Sequence, residues 1–275
     1  MTKETIEIGV IGGSGFCTFP EIDLKEKVDL STQYGQPSDT ISLGYYFGKK
    51  IAFLPRHGYN HQLPPHAIPY RANIMALKEL GVKYIFAFCV AGSLRKKIKP
   101  GDIVIPDQFI NLTWGRDVTF EQEQSFTHLP MGEPYSSDLR KVFCESEESV
   151  GVKIHPRGTA VVIQGPRFNT LAESKMLARW GGDLVNMTQY PECYFAREQG
   201  LQYAVAAAIT DYDVYLQDLG LSMTNEKITE TSQIFRDNIL NQKKILAEVI
   251  KRRSSFNIKL EKTINIRPIS YETAL

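Results

Sequence analysis

Residues 203–209 read Tyr-Ala-Val-Ala-Ala-Ala-Ile, small and apolar at almost every position. Successive side chains of an extended strand point to opposite faces, so a run apolar throughout has to be covered on both. This is the pattern of a buried strand in a parallel sheet. The rest of the chain supplies the neighbours such a strand needs. Strand patterns cover residues 6–11, 51–54, 84–90, 102–105, 159–163 and 183–187. Helical spacing covers 67–80, with Ile74, Leu77 and Leu80 on one side and Gly81 as the stop. It recurs over 136–150, over 191–199 with Pro191 in the first position, and over 224–253. Thr170, with Glu173 three residues on, forms a capping box that opens a helix to about Trp180. The expected fold is α/β, a mostly parallel sheet covered by helices on both faces. No linker, repeat or low-complexity stretch divides it. One domain over residues 1–255 and a C-terminal tail over 256–275 are expected.

Composition narrows the function classes. The net charge is +1 and the basic residues are dispersed, which gives no footprint for nucleic acid or an anionic membrane. No apolar run approaches membrane-spanning length. The start runs straight into a strand pattern without a signal-peptide pattern. Cys17, Cys89, Cys144 and Cys193 are far apart and form no C-x-x-C pair, so a cytoplasmic, reduced protein is expected.

The apolar run 203–209 leads into Thr210-Asp211-Tyr212-Asp213. Residues two apart share a face, so both aspartates can point into one crevice at a strand's carboxyl end, where open α/β sheets bind ligands. An unpaired buried carboxylate is costly and needs a donor. A purine with an exocyclic amine offers donors at N6 and at a protonated N7. A pair of turn-capping aspartates has the same sequence.

Four further loops follow strands. Gly12-Gly13-Ser14-Gly15 lets backbone N–H groups approach an anion, with a hydroxyl added by Ser14. It matches neither the Walker pattern nor G-x-G-x-x-G, and a plain tight turn fits it as well. Pro55-Arg56-His57-Gly58 puts a cation at a strand end, suited to phosphate or carboxylate. His57, His61 and His66 do not make a metal site, because Gly58 and Pro64-Pro65 break helical spacing and no acidic ligand is close in sequence. Gln164-Gly165-Pro166-Arg167-Phe168-Asn169 offers Phe168 either to a flat heterocycle or to the core. Asn186-Met187-Thr188 sets an apolar side chain beside a hydroxyl.

In order along the chain these loops resemble the methylthioadenosine phosphorylase branch of the trimeric purine nucleoside phosphorylase family. The resemblance rests on Val10-Ile-Gly-Gly-Ser-Gly-Phe, Phe53-Leu-Pro-Arg-His-Gly, Tyr70-Arg-Ala-Asn-Ile-Met-Ala-Leu-Lys, Ala91-Gly-Ser-Leu-Arg and Pro100-Gly-Asp-Ile-Val-Ile-Pro-Asp-Gln-Phe. It continues through Gln164-Gly-Pro-Arg-Phe, Asn186-Met-Thr, Pro191-Glu and Thr210-Asp-Tyr-Asp, and spans residues from about 6 to 250. Each motif alone is unspecific; the ordered set is specific.

The resemblance implies a central mixed, mostly parallel sheet part-closed into a barrel and ringed by helices. It implies phosphorolysis of 5'-methylthioadenosine, with inorganic phosphate as co-substrate and neither metal nor organic cofactor. By resemblance, Ser14, Arg56, His57, Cys89, Val90 and Thr188 hold phosphate. Met187 lies against the ribose, Phe168 packs on the purine, and Asp211 and Asp213 read adenine, with Asp211 the expected proton donor at N7. His128 is implied to enter a neighbouring subunit's 5'-substituent pocket, which makes a trimer or a dimer of trimers the expected assembly. Cys89 stands where threonine or serine is common, and Asn169 where adenine-type members often have serine. Gln164 replaces a usual glutamate, and Gln189-Tyr190 also departs from the pattern. Two rival classes stay open: another nucleoside enzyme, such as a 6-oxopurine phosphorylase or a nucleosidase using water, and a non-catalytic purine-binding protein.

Overall fold

In the computed structural model, which describes residues 6–121, 128–216, 218 and 225–252, strands and helices alternate as expected. The order is β1 (Ile8–Gly12), β2 (Asp23–Val28), β3 (Ile41–Tyr46), β4 (Lys49–Pro55), α1 (Tyr70–Glu79) and β5 (Tyr84–Ser93). There follow β6 (Ile103–Val104), β7 (Gln108–Leu112), α2 (Ser137–Cys144), α3 (Glu147–Val150), β8 (Ile154–His155), β9 (Thr159–Ile163) and α4 (Leu171–Arg179). The chain then forms β10 (Leu184–Asn186), α5 (Gln189–Glu198), β11 (Gln202–Tyr212), α6 (Val214–Leu216) and α7 (Asn225–Arg252). The tail expected over 256–275 lies outside the described residues.

One 11-stranded mixed sheet runs through the molecule. β1 pairs in parallel with β4 and β5, β11 in parallel with β5, and β9 in parallel with β10 and β7. The β5–β10 and β6–β11 pairs and the β2–β3–β4 meander are antiparallel. The sheet does not close on itself among the described residues; it runs open from β2 to β7, with β11, β6 and β8 branching from β5. The central mixed sheet flanked by helices is as expected, with its ladders left open and branched. No ladder joins the two ends, because β7 has a strand only on its β9 side.

Both faces of the sheet are buried with the period of two that strands impose. Ile11, Leu54, Ala87, Val205, Ala207 and Ile209 pack on one face with Tyr70, Ile74 and Leu77 of α1 and Phe195 and Ala196 of α5. Val10, Phe53, Phe86, Phe88, Ala204, Ala206 and Ala208 pack on the other with Leu139, Val142 and Phe143 of α2 and Ile245, Leu246, Val249 and Ile250 of α7. The run 203–209 thus takes the doubly covered position its composition demands. The helix expected over 136–150 is broken in two. The Ser146 hydroxyl donates back to the Phe143 carbonyl at 2.7 Å, the local bond by which serine competes with helix continuation. The helix expected from residue 67 begins at Tyr70, after a 3-10 turn over Pro65–Ala67. The capping box at Thr170 and Glu173 forms in full and starts α4 directly after the 164–169 loop.

Candidate active site

The sheet splits at the carboxyl end of β5, and the site occupies the split. β11 lies along one edge of β5 from Tyr84 to Ser93. On the other edge β1 pairs as far as Ala87, and β10 begins only at Gly92. Residues 88–91 have no strand on that edge. A cavity of about 310 Å³ opens there, lined by Cys89, Val90, Ala91 and Gly92 and by loops from β1, β4, β9, β10 and β11. Four successive carbonyls of this stretch take side-chain donors from four elements. Arg56 Nη1 reaches Phe88 O at 2.8 Å, and Gln242 Nε2 reaches Cys89 O at 2.8 Å. Asn186 Nδ2 reaches Val90 O at 2.9 Å, and Thr210 Oγ1 reaches Ala91 O at 3.4 Å. The carbonyl dipoles of this stretch are thereby engaged by protein donors.

One end of the cavity is suited to an anion. Ser14, Arg56, His57, Cys89, Val90 and Thr188 all line it, together with His61. Arg56 is 1% exposed, and its Nε and Nη2 each sit 2.6 Å from a different oxygen of the fully buried Glu192. Three of its five N–H donors are spent on Glu192 and Phe88, and two are left for a ligand. Burial works against the guanidinium charge, but Glu192 outweighs it and holds the pKa above the ordinary arginine range. Tyr203 donates to Glu192 at 2.7 Å and steadies the pair. Gly13 allows the close approach: a Cβ there would stand 2.5 Å from Phe88 O and 2.8 Å from Arg56 Nη1.

The histidines divide their work. His57 Nδ1 lies 2.8 Å from Leu63 O, and a carbonyl only accepts, so Nδ1 carries the proton. Burial pushes its pKa down to about 4, helped by Arg56 and His61 against the pull of the Leu63 bond. The neutral ring then has an unprotonated Nε2. His61 stacks on it at 4.4 Å between ring centroids, and its Nε2 is 2.9 Å from Ser14 Oγ. Burial raises the Cys89 thiol to about 12, so it stays protonated and small. Thr188 is held through its backbone N–H, which donates to Asn186 Oδ1 at 2.8 Å.

The other end is built of acceptors. Asp211 and Asp213 line the same cavity, as their spacing predicts. A bulge between Ile209 and Asp211 in the β5 pairing aims them there. Thr210 donates to Asp211 Oδ1 at 2.7 Å. Burial and then the neighbouring Asp213 charge raise the Asp211 pKa, against the Thr210 hydrogen bond that lowers it. Asn169 Nδ2 donates to Asp213 Oδ2 at 3.0 Å. Asp213 Oδ1 is buried without a partner among the described residues, a cost of about 1–3 kcal/mol that a ligand donor relieves. Met187 lines the middle, and Phe168 stands at the mouth, 85% exposed and not part of the core.

His128 is exposed and does not line the cavity of its own chain. Several residues that act at the site were not singled out from sequence. Glu192 lies in the Pro191-Glu motif, but its partner is 136 residues away. Arg116 donates to the carbonyls of Tyr190, Gln164 and Met187 at 2.6, 3.0 and 2.9 Å, tying the loops after β9 and β10 to the start of α5. The three-histidine pattern drew attention to metal binding rather than to His61 as the partner of Ser14.

A sheet split at a strand end, with an anion-suited pocket facing a carboxylate pair, is the frame of an α/β enzyme that binds its ligand at the carboxyl end of its strands. Residues 7–251 match the family model of the phosphorylase superfamily, and the chain belongs to that family. It is 41% identical over 250 residues to an S-methyl-5'-thioadenosine phosphorylase of Nitrosopumilus maritimus, covering 91% of this chain and 93% of that one. It is 47% identical over 208 residues to an S-methyl-5'-thioadenosine phosphorylase of Thermococcus kodakarensis, covering 76% and 80%. Among solved structures it is similar to a point mutant of the adenosine/methylthioadenosine phosphorylase of Schistosoma mansoni in complex with methylthioadenosine. That match has a TM-score of 0.85 and 33% identity, over 92% of this chain and 93% of the other.

Proposed function

We propose that the chain catalyses phosphorolysis of 5'-methylthioadenosine to adenine and 5-methylthioribose 1-phosphate. One observation carries the reading: a single cavity joins an anion-suited end, Ser14, Arg56, His57 and Thr188, to a carboxylate end, Asp211 and Asp213. Cleavage of the glycosidic bond builds positive charge on the ribose and negative charge on the purine. Phosphate at the donor end serves as nucleophile and counter-charge, held by groups that need no reorganisation. The unprotonated Nε2 of His57 accepts the P–OH of hydrogen phosphate, which leaves an ionised oxygen to attack the anomeric carbon. Cys89 and Val90 contribute through the backbone of the β5 gap. Met187 supports the ribose and Phe168 covers the base from the mouth. Asp211, with its raised pKa, protonates N7, and Asp213 accepts from N6. The Asn169 amide is engaged on Asp213, in keeping with a 6-aminopurine. Neither a metal nor an organic cofactor takes part in this scheme.

The relatives named S-methyl-5'-thioadenosine phosphorylase support the same substrate. The proposed reaction belongs to methionine and purine salvage, and a cytoplasmic location is part of the proposal. Adenine release should require phosphate, and Arg56→Ala should raise the phosphate KM at least tenfold with nucleoside binding largely kept, since charge-assisted hydrogen bonds are worth about 1.5–3 kcal/mol each. Equal adenine release in phosphate-free buffer would replace the phosphorylase with a hydrolase. A homotrimer or dimer of trimers completes the proposal, with His128 entering a neighbour's pocket. Light scattering at assay concentration should show such an assembly, and a fully active monomer would refute it.

A further inference from the structure

Among its described residues helix α7 contributes none to the lining of the cavity, yet it reaches both ends of it. Asn238 and Gln242 are one helical turn apart and buried against the sheet. Gln242 Nε2 donates to Cys89 O at 2.8 Å, with Ala206 O at 3.4 Å. Asn238 Nδ2 donates to Ile209 O at 2.9 Å, at the bulge that turns the chain towards Asp211. That carbonyl already accepts from the Gly101 N–H at 2.8 Å, so the bulge is gripped from two sides. The same helix packs on the glycine loop of β1. A Cβ on Gly15, whose φ is +78°, would meet Ile239 at 2.3 Å and Phe235 at 2.8 Å. Nearby, Lys243 pairs with Glu21 at 2.8 Å.

These contacts serve no purpose that burial alone would require. Apolar side chains at 238 and 242 would extend the seam of Ile245, Leu246, Val249 and Ile250 that already covers this face. Two carboxamides instead place donors on carbonyls beside the phosphate stretch and beside the carboxylate pair. We propose that Gln242 and Asn238 are positioning residues for the proposed phosphorolysis, Gln242 setting the Cys89–Val90 backbone for phosphate and Asn238 setting the Asp211 bulge for the base. Gln242 fixes the peptide that carries the Cys89 carbonyl and the Val90 N–H. Asn238 fixes the strand residue from which Asp211 is aimed. Helix α7 is then one rigid bracket across the two half-sites.

The test is a split in kinetic constants between two near-isosteric variants of the full-length protein. Gln242→Met should raise the phosphate KM about five- to tenfold, the worth of one hydrogen bond, with the methylthioadenosine KM little changed. Asn238→Leu should lower kcat by a comparable factor while leaving the phosphate KM unchanged. Equal losses in both variants on every constant, or a lower Tm with wild-type kinetics, would overturn the assignment. Should Gln242→Met fail to fold, Gln242→Asn keeps a carboxamide one methylene short. A folded Gln242→Asn protein with a wild-type phosphate KM would refute the role equally. Phosphate-independent adenine release by the wild type would instead refute phosphorolysis itself. The Asn238 arm, read on nucleoside turnover alone, would still test the bracket.

Discussion

Asp211→Asn should cut methylthioadenosine turnover by about two orders of magnitude or more, the worth of one transition-state acid. Asp211 is half-buried and faced by the Asp213 charge, and its pKa is raised for those reasons against the Thr210 hydrogen bond, which lowers it. A carboxyl so placed keeps its proton to higher pH than a free aspartate. Activity that depends on that proton should fall as pH rises through the raised value, and the Asn variant should lose that limb of the profile. Cleavage of inosine should suffer less, because an amide can donate to a 6-oxo group, whereas a carboxylate leaves two acceptors opposed. Initial rates with both nucleosides across pH would decide it. A wild-type enzyme that cleaves inosine faster than methylthioadenosine would show that Asp211 does not set the base preference.

Removal of Glu192 should be the most damaging single change to the fold near the site. Glu192→Ala strands the buried Arg56 charge, and breaking a buried pair from one side costs about 3–5 kcal/mol. Thermal denaturation should show a marked fall in Tm, and the phosphate KM should rise, because the guanidinium loses the two bonds that orient it. A double replacement, Arg56→Met with Glu192→Leu, should recover much of the stability, since well-packed apolar pairs often match or exceed buried ion pairs. It should recover none of the phosphorolysis. A double variant as active as the wild type would mean that the pair is structural and that phosphate is held elsewhere.

Much of this site was legible in the sequence because its residues sit on loops directly after strands with strong local patterns. The apolar run before Asp211, the Gly12–Gly15 loop and the capping box at Thr170 each announce themselves within a few residues. What stayed hidden depends on distance or on weak patterns. β2, Asp-Leu-Lys-Glu-Lys-Val, is exposed along nearly its whole length and shows no apolar alternation. β8 is only two residues long and takes its place from β6. The break at Ser146 comes from one hydroxyl. Glu192, Asn186 and Gln242 are ordinary polar residues in sequence, and their roles arise when separate elements converge on β5. How far the sheet closes was not legible either, because closure is decided by ladders between distant strands.

The unpaired stretch of β5 also bears on how the protein avoids misassociation. A free strand edge is a template for pairing with foreign chains, and sheets guard such edges with short lengths and charge. Here the edge lies inside the molecule. It is stopped by β1 on one side and by β10 on the other. Residues 88–91 span only about 13 Å at the usual strand rise, too short for a stable intruding strand. The carbonyls that face the gap, of Phe88 and Val90, are already engaged by Arg56 and Asn186. The fold can thus leave a sheet edge open to a small anion while closing it to peptide, which separates ligand access from aggregation at the same four residues.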